Sequence, residues 1–269
     1  MTEKKALSDE KKRLSYTHIS TYLKCPRQYK FKYIDKIKVP KSGTLFQSIV
    51  MHDTIAQNYS QKINTKKDLS VNKLKEIYTS DYDETLKREN IDFNGKDPET
   101  IKAQALGLLE VYHKVIAPQV QPLYVEKWFT VSLGDDFPYV FSGRWDVIDE
   151  NGIIIDNKAA GKTPSQKDID KDLQLTGYAL AYRLMFSEIE KELRIDAMIK
   201  LKTPKAVQIV TKRDNDDCQW FLGLVENIAF AIDREAFYPN PNGWHCGEDY
   251  CDYWDRCRSK NKEVIDDIF

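Results

Sequence analysis

Gly143-Arg144-Trp145-Asp146-Val147-Ile148-Asp149-Glu150-Asn151-Gly152-Ile153-Ile154-Ile155-Asp156-Asn157-Lys158 is the stretch whose reading decides the fold. Apolar runs from Tyr139 to Ile148 and from Ile153 to Ile155 flank Glu150-Asn151-Gly152, and Asn-Gly is a strong hairpin signal. Asp146 and Asp156 then sit on neighbouring strands, ten positions apart. Side chains alternate along a strand, so Asp156 and Lys158 share one side and Asn157 the other. Two carboxylates and an ammonium at the end of a hairpin suit a hard divalent cation bound beside a phosphate. A lone D-x-K also occurs as a turn with solvated charges, so the surrounding chain has to decide.

Upstream, Val125 to Leu133 and Phe137 to Ile148 read as strands joined by Gly134-Asp135-Asp136. Before them, helices are expected over 44–60, 70–90 and 98–116, the last opening with Asp97 as cap and Pro98 in the first turn. Downstream, Ser165 and Asp168 form a capping-box pattern for a helix over 166–187. On it Gln174 and Tyr178, four apart, share a face. Strands over 194–201 and 206–212 follow, then an amphipathic helix over 215–236. Residues 1–14 read as a charged leader, and Thr17 as the cap of a helix carrying Ile19, Tyr22 and Leu23. The order of elements indicates a mixed α/β domain with an N-terminal helical insertion.

The 269 residues suffice for a large core, and 41% hydrophobic with 12% aromatic residues indicates a folded chain. The net charge of −1 balances 41 basic against 42 acidic residues, so any basic surface must be local. No apolar run reaches the roughly 20 residues of a bilayer span, and Met1 to Arg13 has no signal-peptide character. A soluble, cytoplasmic protein is expected.

Five cysteines without an export signal argue for metal or cluster ligation rather than a disulfide framework. Cys246, Cys251 and Cys257 lie in a loop-rich terminus, with Cys25 the natural fourth thiolate. Zinc or a [4Fe–4S] cluster would fit such a set, and His245 keeps zinc open. Cys218 reads as a core residue. Between Lys24 and Lys38, basic residues interleave with Tyr29, Phe31 and Tyr33, the pattern of a single-strand channel or of a solvated amphipathic segment. His52 lies on a mainly apolar helix face with Phe46, Ile49, Val50 and Ile55. It is either a buried, hydrogen-bonded histidine or a metal ligand joining the two carboxylates.

In sum these residues resemble the PD-(D/E)XK nuclease superfamily, in particular its RecB-like branch with an iron–sulfur clasp, which includes CRISPR-associated exonucleases. Ser15-x-Thr17-x-Ile19-x-x-Tyr22-x-x-Cys25-Pro26 is similar to the N-terminal cysteine motif, and His52 to the histidine motif. Glu126 is similar to the acid on the first core strand, and Gly143-Arg144-Trp145-Asp146 to the G-x-x-D motif. Asp156-Asn157-Lys158 resembles (D/E)-x-K, Gln174-x-x-x-Tyr178 resembles Q-x-x-x-Y, and the tail resembles the cysteine triplet. Ser48 replaces a usual glycine, Asp156 a commoner glutamate, and the first cysteine gap is four residues rather than two. Trp145 stands where the superfamily's namesake proline would fall.

The resemblance implies a single nuclease domain over 1–269 with a restriction-endonuclease-like core. Its parts would be the N-terminal cysteine segment (15–38), a helical region (44–118), the core (124–236) and a C-terminal clasp (239–262). It further implies a Mg²⁺- or Mn²⁺-dependent exodeoxyribonuclease of DNA repair, recombination or defence, acting on DNA ends or single strands. His52, Asp146, Asp156 and the carbonyl of Asn157 would hold metal, with Glu126 behind them. Lys158 would serve the attacking water, and Gln174 and Tyr178 would orient the strand. Cys25, Cys246, Cys251 and Cys257 would hold a structural [4Fe–4S] cluster, and a helicase or a recombination or CRISPR protein would be a partner. The rival readings are a non-catalytic DNA-binding scaffold and a zinc-binding interaction module.

Overall fold

Residues 11–258 are described by a computed structural model. The first half contains β1 (Lys12–Leu14), α1 (Tyr16–Lys24), α2 (Pro26–Tyr29), β2 (Lys41–Ser42), α3 (Gly43–Thr65), α4 (Val71–Arg88), β3 (Ile91–Asp92) and α5 (Pro98–Val111). The second contains β4 (Pro122–Ser132), β5 (Tyr139–Asp149), β6 (Ile153–Ala160), α6 (Gln166–Asp170), α7 (Leu173–Phe186), β7 (Glu192–Ile199), β8 (Lys205–Thr211) and α8 (Asn215–Asp233). This is the expected mixed α/β class. No helix among the described residues is long and apolar enough to cross a membrane.

The chain divides into two compact units. One takes its described residues from Met1–Val39, Ser132–Phe141 and Trp220–Phe269, the other from Pro40–Val131 and Ser142–Gln219. In the second unit β4 pairs with β5, β5 with β6 antiparallel, β6 with β7 parallel, and β7 with β8 antiparallel. The β5–β6 hairpin closes where Gly152 N–H donates to the Asp149 carbonyl at 3.0 Å. Gly152, with φ of 79°, takes the left-handed conformation that a glycine adopts without steric cost. The Asp149 carboxylate fixes the turn by accepting from the amides of Asn151 and Ile153 at 2.9 and 2.8 Å.

Apolar side chains of α3, α4 and α5 bury Phe46, Val50, Leu74, Tyr78 and Leu108 against Val147, Ile155 and Met198 of the sheet. Alternation then sends Asp156 and Lys158 of β6 to the opposite side, where α7 packs. On β5 the alternation slips. Trp145 and Val147, two apart, should share a face, yet Val147 joins the α3–α5 cluster. The Trp145 ring instead packs on Tyr182 and Phe186 of α7, with centroids 6.4 and 6.0 Å away. Asp146 lies at that step.

Several expectations are corrected. Ser15 rather than Thr17 caps α1, its hydroxyl accepting from His18 N–H, and Leu23 is exposed. The helix expected over 166–187 breaks between α6 and α7. There the Asp172 carboxylate caps α7 by accepting from Gln174 and Leu175 N–H at 2.8 and 3.1 Å. Arg213, remote in sequence, donates to the carbonyls of Ile169 and Asp172 that the break leaves open. The third N-terminal helix is regular only to Val111 and continues as a wider π-turn over Tyr112–Ile116.

In the first unit β1 pairs in parallel with Tyr139–Phe141 and buries Leu14. Lys12–Leu14 is therefore strand rather than leader; residues 1–10 of that expectation, and 259–262 of the clasp, lie outside the described residues. Between α8 and a short helical stretch over 254–258 the segment has no regular element, and hydrogen bonds to α1 and α2 hold it. Tyr22 Oη donates to the Ala236 carbonyl at 2.7 Å, and Arg27 N and Nε to the carbonyls of Tyr238 and Phe237 at 3.0 and 2.9 Å. Tyr29 and Phe31 are buried, Tyr29 near Tyr22 and Phe237 and Phe31 near Tyr253. Tyr29 and Phe31 are packing groups, as in an amphipathic segment, while Tyr33 is half-buried beside His18.

Candidate active site and cysteine pocket

Three donors meet in the second unit: His52 from α3, Glu126 from β4 and Asp146 from β5. One ligand atom from each lies within 4.8 Å of the others. Among the described residues this is the set with the spacing of a metal site, and all three are partly accessible. His52 Nδ1 is 3.2 Å from Asp146 Oδ2, and that oxygen also accepts the backbone N–H of Asn157 at 2.9 Å. The β5–β6 ladder runs through Val147–Ile155 and Ile148–Ile154, and Asp146 and Asp156 lie just past these paired residues.

Glu126 has φ of 50° in the middle of β4, a left-handed conformation that costs a side-chain-bearing residue about 1–3 kcal/mol. Such a bulge re-aims a side chain, and here Glu126 Oε2 comes within 2.5 Å of Arg144 Nε. That oxygen is thus ion-paired with the Arg144 guanidinium. Asp156 Oδ2 is paired with the Lys158 ammonium, 2.8 Å away. Arg144 also lies over the Trp128 ring, 5.4 Å from its centroid, and Trp128 is 68% exposed.

A second group adjoins on the α7 side. Gln174 accepts from Lys158 Nζ at 2.9 Å and donates to Asp156 Oδ1 at 3.0 Å and to Tyr178 Oη at 2.9 Å. Tyr178 Oη donates to the Arg144 carbonyl at 2.8 Å. One amide side chain thus sets the lysine, the carboxylate and the phenol, and Asp172 fixes the helix turn that carries it. Gly143 is needed for a different reason. A Cβ there would stand 2.4 Å from Phe129 Cζ, and Phe129 packs 4.5 Å from the Trp145 ring between the sheet and α7.

The electrostatics follow from burial and proximity. Burial pulls His52 down, but the hydrogen bond and charge of Asp146, with Asp156 behind, outweigh it and carry the imidazole up to about 8. Burial would raise Asp146, yet His52, the Asn157 amide and Lys158 hold it below the usual carboxylate range. Burial and then Asp146 win over Lys158 at Asp156, which is pushed up to about 6. Burial and Asp146 likewise push Glu126 up to about 7, against Arg144 and His52. Crowded acids that resist ionisation together are what a divalent cation relieves.

Of the residues singled out in the sequence, His52, Asp146, Asp156, Lys158, Gln174 and Tyr178 fall in this one region, with Glu126 beside His52 and Asp146. Asp156 stands outside the 4.8 Å set, engaged with Lys158 and Gln174. The Asn157 side chain is buried on the other side, its Oδ1 without a hydrogen bond. Arg144 and Trp128 were missed. Their signal was position, in the G-x-x-D motif and two residues after Glu126.

In the first unit Cys25, Cys246, Cys251 and Cys257 line one cavity of about 110 Å³ with Phe31, Tyr253 and Trp254. About 10–15 Å³ suffices for one water, so the space exceeds a single small ion. Burial pushes the Cys251 and Cys257 thiols up, and the charge of Cys25 adds to both. His245 Nε2 donates to the Lys24 carbonyl at 2.9 Å, which takes that nitrogen out of metal binding. A Cβ at Gly243 would meet this ring at 2.3 Å. Cys218 is apart from this pocket and buried.

Comparison with known proteins is informative at the level of family and fold. The profile of the PD-(D/E)XK nuclease superfamily matches residues 13–258. No curated protein matches the sequence. Among solved structures, a candidate exonuclease from Eubacterium rectale is similar at a TM-score of 0.59 and 14% identity, over 96% of this chain and 93% of that one. A structure named SSO0001 is at a TM-score of 0.32 and 15% identity, over 91% of this chain and 95% of that one. At 14% identity the first likeness is one of fold, and with the profile it bears out the restriction-endonuclease-like architecture.

Proposed function

The chain belongs to the PD-(D/E)XK nuclease superfamily, and on that premise we propose that it is a Mg²⁺- or Mn²⁺-dependent exodeoxyribonuclease acting on DNA ends or single strands. The observation that carries this is the meeting of His52, Glu126 and Asp146 within 4.8 Å, beside the Asp156–Lys158–Gln174 group. Oxygen-rich donors with one imidazole fit Mg²⁺ or Mn²⁺. His52, Asp146, Asp156 and the Asn157 carbonyl would hold the ion, joined by Glu126. When bound, the ion supplies Lewis acidity, making a bound water more acidic and offsetting charge on the phosphorane-like transition state. Lys158 would position the attacking water or stabilise developing negative charge. Gln174 would hold Lys158 and Asp156 in register, and Tyr178 would fix Gln174. Trp128, with Arg144 over it, offers a face on which a base can stack.

The test is cleavage of end-labelled single-stranded and duplex DNA with Mn²⁺, with products resolved by size. Asp156→Ala and Lys158→Ala should each lose about 10³-fold or more in rate. If either mutant cuts as fast as wild type, the assignment fails.

We further propose that Cys25, Cys246, Cys251 and Cys257, which line one cavity, hold a structural [4Fe–4S] cluster, with tetrahedral zinc as the alternative. Phosphodiester hydrolysis has no redox step, so the cluster's role is to order the segment around it. Protein purified without oxygen should be brown with a visible cluster band; colourless protein holding stoichiometric zinc refutes this assignment.

A further inference from the structure

A second cavity of the second unit, about 590 Å³ in volume, opens where β6 and β7 end. Gln47 of α3, Lys96, Thr100 and Gln104 around the start of α5, Gly161 and Lys200 line it. Gln47 of its wall lies five residues before His52 on α3, about 7.5 Å along the helix. From Lys158 the chain reaches Gly161 in three residues, about 10 Å of extended strand. A nucleic-acid strand rises about 3.4 Å per nucleotide, so this is the reach of two to three nucleotides.

Charge distinguishes this cavity. Lys200, whose N–H donates to the Ala160 carbonyl at 2.8 Å, places Nζ on Gln47 Oε1. Gln47 is 1% exposed and is oriented by its own donation to the Ile101 carbonyl at 3.0 Å. Burial, and then the nearby charge of Lys96, lower the Lys200 ammonium below its ordinary range. Among the described residues neither lysine has an ion-pair partner. The one carboxylate on the wall, Asp97, is spent as the helix cap, accepting from Thr100 N and Oγ1 at 2.9 and 2.8 Å. Two ammoniums without ion-pair partners facing one space, with the Gln104 amide beside them, make a site for an anion that a strand can deliver.

We propose that this cavity binds a backbone phosphate of the substrate strand two to three nucleotides from the scissile bond, with Lys200, held by Gln47, and Lys96 as its cationic contacts. The inference rests on the nuclease reading. It adds a subsite that sets strand register and binding strength, separate from the metal-binding acids.

The experiment measures binding of a fluorescent single-stranded oligonucleotide in EDTA across a salt series, for wild type, Lys200→Met and Lys96→Ala. Lys96 is exposed, so its variant tests the site without disturbing the packing around Gln47. Each variant should bind about 5–20-fold more weakly. Each should also flatten the slope of log K against log salt by about 0.7 for one lost contact with a single strand. A neutral methylphosphonate placed in turn at each linkage should weaken wild type at one position two to three nucleotides from the cut, and the double variant not at all there. If wild type binds and cleaves DNA while both variants keep its affinity and salt slope, the cavity assignment alone falls. A wild type that neither binds nor cleaves DNA removes the nuclease reading and this inference with it.

Discussion

His52, Glu126 and Asp146 reach one point from a long helix and two paired strands, whereas Cys25, Cys246, Cys251 and Cys257 line theirs from a helix boundary, a run of turns and a short helical stretch over 254–258. The acidic group is set by regular backbone. Strand pairing sets its backbones, Gln174 ties Lys158 to Asp156, and Asp172 caps the helix that carries Gln174. The cysteine pocket has no ladder of its own, and its segment is held by a few side-chain bonds to backbone carbonyls. One region is ordered by secondary structure and can wait for its ligand. On the proposed reading, the other would draw much of its order from a group held by its thiols, since binding that requires a folded site contributes to folding.

The widest separation of the two should come from Cys251→Ser. Limited proteolysis within residues 236–258 should accelerate by about 100-fold or more as ligand-derived folding energy is lost, while Asp156→Ala leaves that rate unchanged. Equal resistance in both proteins would mean that the pocket is as self-sufficient as the acidic group.

Gln174→Ala comes next. It removes the link among Lys158, Asp156 and Tyr178 but no proposed metal ligand. Cleavage should fall by about 10²-fold, at the scale of misplacing a catalytic group, with the melting temperature nearly unchanged. A rate within twofold of wild type would show that strand pairing alone sets the site.

Gly143→Ala probes the packing beneath. Its Cβ meets the Phe129 ring at 2.4 Å, so urea unfolding should show a loss of about 1–3 kcal/mol from overpacking. A neutral result would show that this ring has room to move.

The smallest effect belongs to Asp233 in the first unit. Its carboxyl is held below the usual range first by the Lys12 hydrogen bond at 2.6 Å and then by Tyr139 at 2.7 Å. A depressed folded pKa stabilises above the unfolded value and is lost as pH falls through the folded one. Wild type should therefore lose melting temperature below about pH 4 slightly faster than Asp233→Asn, compared by thermal scans from pH 3 to 7. Parallel curves would assign this contact no weight.

The sequence alone determined the elements whose signals are local. Asn151-Gly152 announced the hairpin, Asp97-Pro98 the start of α5, and alternation sent Asp156 and Lys158 to one side of β6. The α6–α7 break was legible only in part: Asp172 is a capping residue, but the carbonyls exposed there are satisfied by Arg213 from far along the chain. Tertiary structure alone decided that Glu126, bent out of its strand at φ of 50°, stands with His52 and Asp146. It also decided that Asp146 lies where the β5 alternation slips, that Gly143 yields space to Phe129, and that Lys96 and Lys200 face one cavity. A motif or a period reports on neighbours along the chain. Which remote groups share a space, and which of their charges go unanswered, depends on contacts that exist only once the chain has folded.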